Sequence, residues 1–338
     1  MCGIIGFIGP ECPNDSPDKE QLRWALRLMT IDVTTRGTDA GGYAGISRNG
    51  SVVMNKLAGP LHALNDIDDA IMECTAFIAH ARLATHGDAK DNKNNHPFIS
   101  RDGRFALIHN GIISNYRSLS SNNDGECDSE SILRSIEVQP SSKLVKKIKK
   151  TAPKIVGAAA CAMLDLQTPD SLYLFRSCGG EASPIHTVRL KNGFVLFAST
   201  WEMLYRAILL SKLKVDPSFK LSKENDDLLI VISNNGRSVN RFKLEEQAKT
   251  YYKSYNGYYN NSAWDYEDEY YGYSHHKMLA PAPSKSDTGI FIYKAANPIA
   301  LEAPLYREYS LMNMLYAPRR SAIDSKHTTI LSIRKETK

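Results

Sequence analysis

The sequence predicts an α+β fold with a Tyr-rich C-terminal extension. Three observations carry this expectation. Ile4, Ile5, Phe7 and Ile8 form an apolar run suited to a buried first strand. Asn49-Gly50 and Asn235-Gly236 each stand between strand-like stretches and mark β-hairpins, because the tight turns that match strand twist need positive φ. Ser16 and Pro17 open a helical pattern, with Ser as cap, Pro at the first position and Asp18 and Glu20 in the first turn.

Taken in order, a loop with Pro10 and Pro13 follows the first strand. Leu22, Ala25, Leu26 and Met29 then recur at helical spacing and should face a core, the helix ending before Arg36-Gly37. Arg36 to Gly42 reads as a glycine-rich turn in which Arg36 and Asp39 can pair. Tyr43–Ile46 and Ser51–Lys56 read as the first hairpin, and Phe77 onwards as a strand leading into a turn. Phe105 to His109 reads as a strand that stops at Asn110-Gly111. Asp128 stands before a helical pattern at Ile132, Leu133 and Ile136 and fits an N-cap. Lys143 to Lys150 reads as the solvated face of an amphipathic helix. Ala158–Asp165, Leu172–Arg176 and Phe194–Ala198 read as strands, Thr200–Leu213 as a helix capped by Thr200, and 228–244 as the second hairpin.

A chain of 338 residues can bury a large core, as one large domain with an appendage or as two domains. The formal charge of +5 is small for this length, and no Lys/Arg stripe interleaved with aromatics appears, which argues against nucleic acid. The six cysteines, at 2, 12, 74, 127, 161 and 178, are widely spaced with no C-x-x-C pair. That argues against a disulfide framework or zinc site and for a reduced, cytoplasmic protein. No signal peptide and no apolar run of membrane-spanning length are read. His275-His276 alone is a weak metal site, so neither metal nor cofactor is expected.

Composition shifts near residue 247. Nine tyrosines lie between Tyr251 and Tyr273, beside the acidic cluster Asp265, Glu267, Asp268 and Glu269. This stretch reads as a linker or arm.

Chemistry concentrates at a few positions. Cys2 joins a thiol of ordinary pKa near ~8.5 to an α-amine near ~7.7–8.0 once Met1 is removed. One residue can then be nucleophile and general base; an ordinary strand with a chance Cys is the alternative. Arg82 sits among apolar neighbours and needs a partner, either a structural anion or a bound carboxylate that its planar fork can grip. Asn110-Gly111 is either a turn or an amide and backbone N–H of the kind an oxyanion hole uses. Asp128 is either a cap or an acceptor for an ammonium group.

The ordered set resembles the glutaminase domain of the class II glutamine amidotransferases, within the N-terminal-nucleophile hydrolases. It comprises Cys2-Gly3-Ile4-Ile5-Gly6, Arg36-Gly37-Thr38-Asp39 with Gly41, and Ala81-Arg82-Leu83-Ala84-Thr85-His86-Gly87. It continues with Asn95-His96-Pro97, His109-Asn110-Gly111-Ile112 and Asp128-Ser129-Glu130. The resemblance implies a four-layer αββα sandwich over 2–246; beyond it, composition sets off 247–288 as a Tyr-rich linker or arm and 289–338 as a small extension or a docking segment. It implies Cys2 as nucleophile with its own amine as base, and Asn110 with the Gly111 N–H as oxyanion hole. Arg82 would hold the α-carboxylate of L-glutamine and Asp128 its α-ammonium, with Thr85 and His86 lining the carboxylate end. Arg36, Gly37 and Asp39 would support the nucleophile's strand and the covering loop. Leu83 departs from the pattern, where an aromatic residue is common, as do Thr38 and Ala40.

The expected reaction hydrolyses glutamine through a γ-glutamyl thioester to glutamate and ammonia. No Ser-Gly-Gly-x-Asp-Ser or Walker A loop is found, so a separate synthase or acceptor subunit is expected to use the ammonia. An oligomer is left open. Two other readings stand: hydrolysis of a different amide, or a non-catalytic interaction protein.

Overall fold

The computed structural model describes residues 2–177, 184–218, 222–224 and 227–244. The Tyr-rich stretch, the C-terminal extension, Cys178 and His275-His276 lie outside the described residues.

The elements run β1 (Gly3–Ile8), α1 (Pro17–Thr34), β2 (Ala40–Ser47), β3 (Val52–Leu57), α2 (Ile67–Glu73), β4 (Cys74–Arg82), β5 (Phe98–Ile99) and β6 (Phe105–Ile113). They continue with α3 (Tyr116–Leu119), α4 (Asp128–Glu137), α5 (Leu144–Thr151), β7 (Gly157–Asp165), β8 (Leu172–Ser177), β9 (Ile185–Arg189), β10 (Val195–Ala198) and α6 (Trp201–Leu210). β11 (Ser222–Glu224), β12 (Leu228–Ser233) and β13 (Ser238–Lys243) complete the described chain. One sheet has the order β11-β9-β10-β1-β4-β2-β3, the other β13-β12-β8-β7-β6-β5, and the described strand pairs are antiparallel.

Period-2 alternation sets the layers. On β1, Ile5 and Phe7 pack with Leu22, Leu26 and Met29 of α1, while Ile4 and Ile8 face the second sheet. On β6, Ala106 and Ile108 face the first sheet, while Phe105 and Leu107 pack with Ile132 and Ile136 of α4 and Ile148 of α5. Three apolar clusters therefore alternate with two sheets, and helices cover both outer faces.

The α1 expectation holds in detail. Ser16 Oγ accepts from the Lys19 N–H at 3.2 Å, and Leu22, Ala25, Leu26 and Met29 are buried. Both Asn-Gly hairpins form, with φ +78 at Gly50 and +51 and +90 at Asn235 and Gly236. α2, β5, β9 and β11 were not read from the sequence; each is short, seven, two, five and three residues long.

Other expectations are corrected. β6 does not stop at Asn110-Gly111 but runs on to Ile113, Gly111 holding φ +146 while pairing with Ala159. Gly41 and Gly42 belong to β2, not to a turn. α6 ends at Leu210, three residues early, with Lys212 at φ +58 beyond it. Asp128 is not the cap of α4; Cys127 is, and Asp128 is the first helical residue. Lys147 is not solvated. It is buried and donates to the carbonyls of Ile136, Glu137 and Gln139 at 3.3, 2.8 and 2.7 Å, so its cation serves the C-terminal end of α4.

Candidate active site

Strand parity builds the site before any side chain is considered. The inter-sheet residues of β1 are Ile4 and Ile8, of β4 Ala76 and Ile78, and of β6 Ala106 and Ile108. Two residues further along the same alternation stand Cys2, then His80 and Arg82, and then Asn110. Gly3 pairs with Ala81 in antiparallel register, which sets Cys2 beside the end of β4.

Cys2 is held by backbone. Its Sγ lies 3.3 Å from both the Leu83 carbonyl and the Leu83 N–H, donating to the first and accepting from the second. Its own carbonyl accepts from Arg36 Nε at 2.9 Å. The Ile4 N–H donates to Ser199 Oγ at 2.9 Å, and the Ser199 N–H returns to the Ile4 carbonyl at 2.9 Å. Burial pushes the Cys2 thiol up; the Leu83 hydrogen bond and the field of Arg82 pull it down, and Asp128 pushes it up. The thiol thus feels one buried cation and one buried anion.

The 36–39 segment braces this arrangement. At Gly37 a Cβ would meet Arg82 C at 2.3 Å and Leu83 N at 2.5 Å, so the segment approaches the Cys2-binding backbone as only glycine allows. The Asp39 N–H donates to the Arg82 carbonyl at 3.0 Å, and Asp39 Oδ2 accepts from the Ala84 N–H at 2.8 Å. The sequence left Arg36 and Asp39 to pair with each other; each instead has a partner on the strand ends that frame Cys2.

Arg82 is buried, with no carboxylate among the described residues in ion-pair contact with it. Nη1 donates to Asn95 Oδ1 at 3.0 Å, and Nη2 donates to the carbonyls of His86 and, at 3.2 Å, Gly87. Three acceptors meet a guanidinium with five N–H donors, so donor capacity remains. Thr85 and His86 stand on the loop that Arg82 ties down, with His86 Nδ1 3.3 Å from Thr85 Oγ1.

Asn110 is also buried, and its Nδ2 finds no acceptor among the described residues. An unpaired buried donor is costly, commonly ~1–3 kcal/mol, and such groups concentrate where a ligand supplies the partner. At Gly111 a Cβ would meet the Ala158 carbonyl at 1.9 Å; no other residue fits. Asp128 Oδ2 accepts from the Ile113 N–H at 2.7 Å, tying the end of β6 to the start of α4. Its Oδ1 has the longer contacts, Ser129 Oγ at 3.4 Å and Cys127 Sγ at 3.7 Å. Burial raises the Cys127 thiol to about 11, so it remains a donor.

A buried histidine group stands behind these residues. The His80 and His96 rings are 3.9 Å apart and His96 and His109 6.5 Å. Burial lowers all three, His80 to about 3. The sequence reading passed over His80, Ser129 and Ser199 as residues that act on the site. Their partners lie far along the chain, and no local pattern marks them. Among the described residues, no group of three or more His, Cys, Asp or Glu side chains is disposed to hold a metal.

Residues 80–206 match the family described as a glutamine amidotransferase domain. Over that stretch the chain carries a glutamine amidotransferase domain. It is 34% identical over 184 residues to the glutamine–fructose-6-phosphate aminotransferase (isomerizing) of Caldanaerobacter subterraneus subsp. tengcongensis, covering 52% of this chain and 28% of that protein. The protein of the same description from Geobacillus kaustophilus is 33% identical over 207 residues, covering 59% of this chain and 32% of the relative. The chain thus spans about a third or less of the length of these curated relatives. The structure of glutamine phosphoribosylpyrophosphate amidotransferase from B. subtilis aligns over 72% of this chain and 50% of its own at a TM-score of 0.54. At 18% identity that likeness speaks for the fold alone. In the amidotransferase domain, the matched stretch takes in Arg82, Asn110, Gly111 and Asp128. No helix among the described residues is long and apolar enough to cross a membrane.

Proposed function

We propose that the domain hydrolyses the side-chain amide of L-glutamine, with Cys2 as nucleophile. The observation that carries this is the company the thiol keeps. Arg82 and Asp128, one cation and one anion, both act on it electrostatically, and the buried Asn110 amide has a donor uncommitted. A free amino acid carrying a side-chain amide presents one carboxylate, one ammonium and one carbonyl oxygen, which this set complements.

In this reading, removal of Met1 frees the Cys2 α-amine, which takes the thiol proton. The sulfur attacks the glutamine amide carbon, and the oxygen gains charge against Asn110 Nδ2 and the Gly111 N–H. The α-amine returns the proton to the leaving nitrogen, ammonia departs, and water hydrolyses the γ-glutamyl thioester to glutamate. Arg82 grips the substrate carboxylate beside Thr85 and His86, and Asp128 Oδ1 accepts from its ammonium. Arg36, Gly37 and Asp39 hold the Cys2 and Leu83 backbone in place. The layered sheets belong, on this account, to an αββα amidotransferase sandwich over 2–246, working in the cytoplasm. The ammonia passes to a separate synthase or acceptor polypeptide, with 247–288 as an arm and 289–338 as the docking segment.

The test is incubation with glutamine, comparing wild type with Cys2→Ala, and assay of glutamate and ammonia. The expected result is release that depends on Cys2. Release by the Ala variant at the wild-type rate would remove Cys2 from the chemistry. A truncated chain ending at 246 should keep the hydrolysis and lose capture of a synthase partner; loss of hydrolysis itself would contradict the division at 246.

A further inference from the structure

Taking the ligand amine to sit at Asp128, as proposed above, we infer that His109 is a positioning residue that turns the Ser129 hydroxyl proton away from Asp128 and so keeps Oδ1 open for an ammonium group. Proton counting fixes the tautomer of His109. His109 Nε2 lies 3.1 Å from the Ala158 carbonyl, an acceptor with no proton to give. That nitrogen must carry the N–H; a lone pair there would face another lone pair. Burial lowers the His109 pKa, so the ring is neutral at physiological pH and holds one proton. Nδ1 is therefore the bare nitrogen, and its partner at 2.7 Å is Ser129 Oγ.

A hydroxyl has one proton. Ser129 Oγ stands 2.7 Å from His109 Nδ1 and 3.4 Å from Asp128 Oδ1. The shorter contact takes the proton. What Ser129 then shows to the Asp128 side is lone pairs. Asp128 Oδ2 is already served by the Ile113 N–H at 2.7 Å, and Oδ1 is left with the weak Cys127 thiol at 3.7 Å. A carboxylate oxygen beside a hydroxyl oxygen, both presenting lone pairs, suits an R–NH3⁺ group with three donors.

Parity explains why His109 can do this. It lies one residue from Asn110, on the opposite face of β6, where Phe105 and Leu107 pack against α4. α4 begins with Asp128 and Ser129. At the other end of the ring, a Cβ on Gly111 would meet His109 Nε2 at 2.8 Å. One imidazole thus abuts both the Asn110-Gly111 end of the site and its Asp128 end.

The experiment uses the full chain and two amides: glutamine, and 5-amino-5-oxopentanoate, which is the same amide without the α-amine. In His109→Phe the hydroxyl is released to Asp128. KM for glutamine should rise about tenfold, with kcat within about twofold, as expected for loss of a hydrogen bond to a charged group. KM for the deaminated amide should stay at its wild-type value. Adding Ser129→Ala to His109→Phe removes the misdirected hydroxyl and should return KM for glutamine toward wild type. An equal rise for both amides, or no recovery in the double variant, overturns the inference. Long-range ¹H–¹⁵N correlation on histidine-labelled wild type reads the tautomer with no variant needed. An Nε2–H neutral His109 supports the inference, and an Nδ1–H ring or an imidazolium at neutral pH refutes it. Wild type that releases no ammonia from glutamine would sink the functional reading instead, and the tautomer would still decide the hydroxyl's direction.

Discussion

The two sheets contribute unlike halves to the site. The first supplies Cys2 and Arg82, held largely from within the chain: Sγ by the Leu83 backbone, and the guanidinium by Asn95, His86 and Gly87, which leave it spare donors. The second supplies Asn110 and, through α4, Asp128; among the described residues Nδ2 has no partner and Oδ1 has only long contacts. One half fixes geometry through bonds within the chain. The other keeps valence open for something outside it. Catalysis by electrostatic preorganisation needs both, a rigid frame and donors whose partner arrives only with the substrate.

This contrast separates stability from activity. The largest effect is expected at Asn110. Asn110→Ala removes a donor that no group among the described residues uses, so kcat should fall about 10²- to 10³-fold, as for loss of one oxyanion donor. Its melting temperature should hold or rise; a marked drop would show that the amide is structural. Arg82→Lys comes next and should hurt both properties. A compact ammonium cannot reach Asn95 Oδ1 and two loop carbonyls from one plane while also forking onto a carboxylate. KM for glutamine should rise about tenfold or more and stability should fall by about 1.5–3 kcal/mol, each reflecting lost hydrogen bonds to a charged group. Unchanged stability would detach Arg82 from the loop it is seen to hold.

The smallest effect is a pH shift in the first-sheet half. Burial raises the Cys2 thiol, so the thiolate forms at higher pH in the folded protein than in a free cysteine. Alkylation of Cys2 in the substrate-free protein should keep climbing above the pH at which an ordinary thiol, near ~8.5, begins to level off. Arg82→Lys leaves a cation nearby and should move that curve little, whereas Asp128→Asn should move it to lower pH. A curve that levels off below the ordinary range would mean that the fields of Arg82 and the Leu83 N–H outweigh burial.

How much of this was legible in the sequence follows the same division. Local signals carried through: the Ser16 cap, the Asn-Gly hairpins and the apolar run of β1 depend on neighbours within a turn or a strand. Motif order brought Arg82, Asn110, Gly111 and Asp128 forward as a set. What failed was the reading of single residues in isolation. Asn110-Gly111 looked like a turn because Asn-Gly usually is one; here the strand continues, paired with Ala160 and Ala159 of β7, and the missing Cβ of Gly111 clears the Ala158 carbonyl. Asp128 looked like a helix cap, but tertiary contact with the Ile113 N–H took its carboxylate and left capping to Cys127. Lys147 looked solvated because its neighbours are lysines, yet three carbonyls at the end of α4 need a donor. The partners of Ser129 and Ser199 are 20 and 195 residues away, beyond any local pattern.

The proposed chemistry begins at Cys2, and one measurement tests that directly. Wild-type protein turning over glutamine is quenched in acid, digested and analysed by mass spectrometry. A γ-glutamyl adduct on a peptide that begins at Cys2, with Met1 absent, is the predicted result. Turnover with the adduct on another cysteine, or with Met1 still attached to the reacting chain, would contradict it.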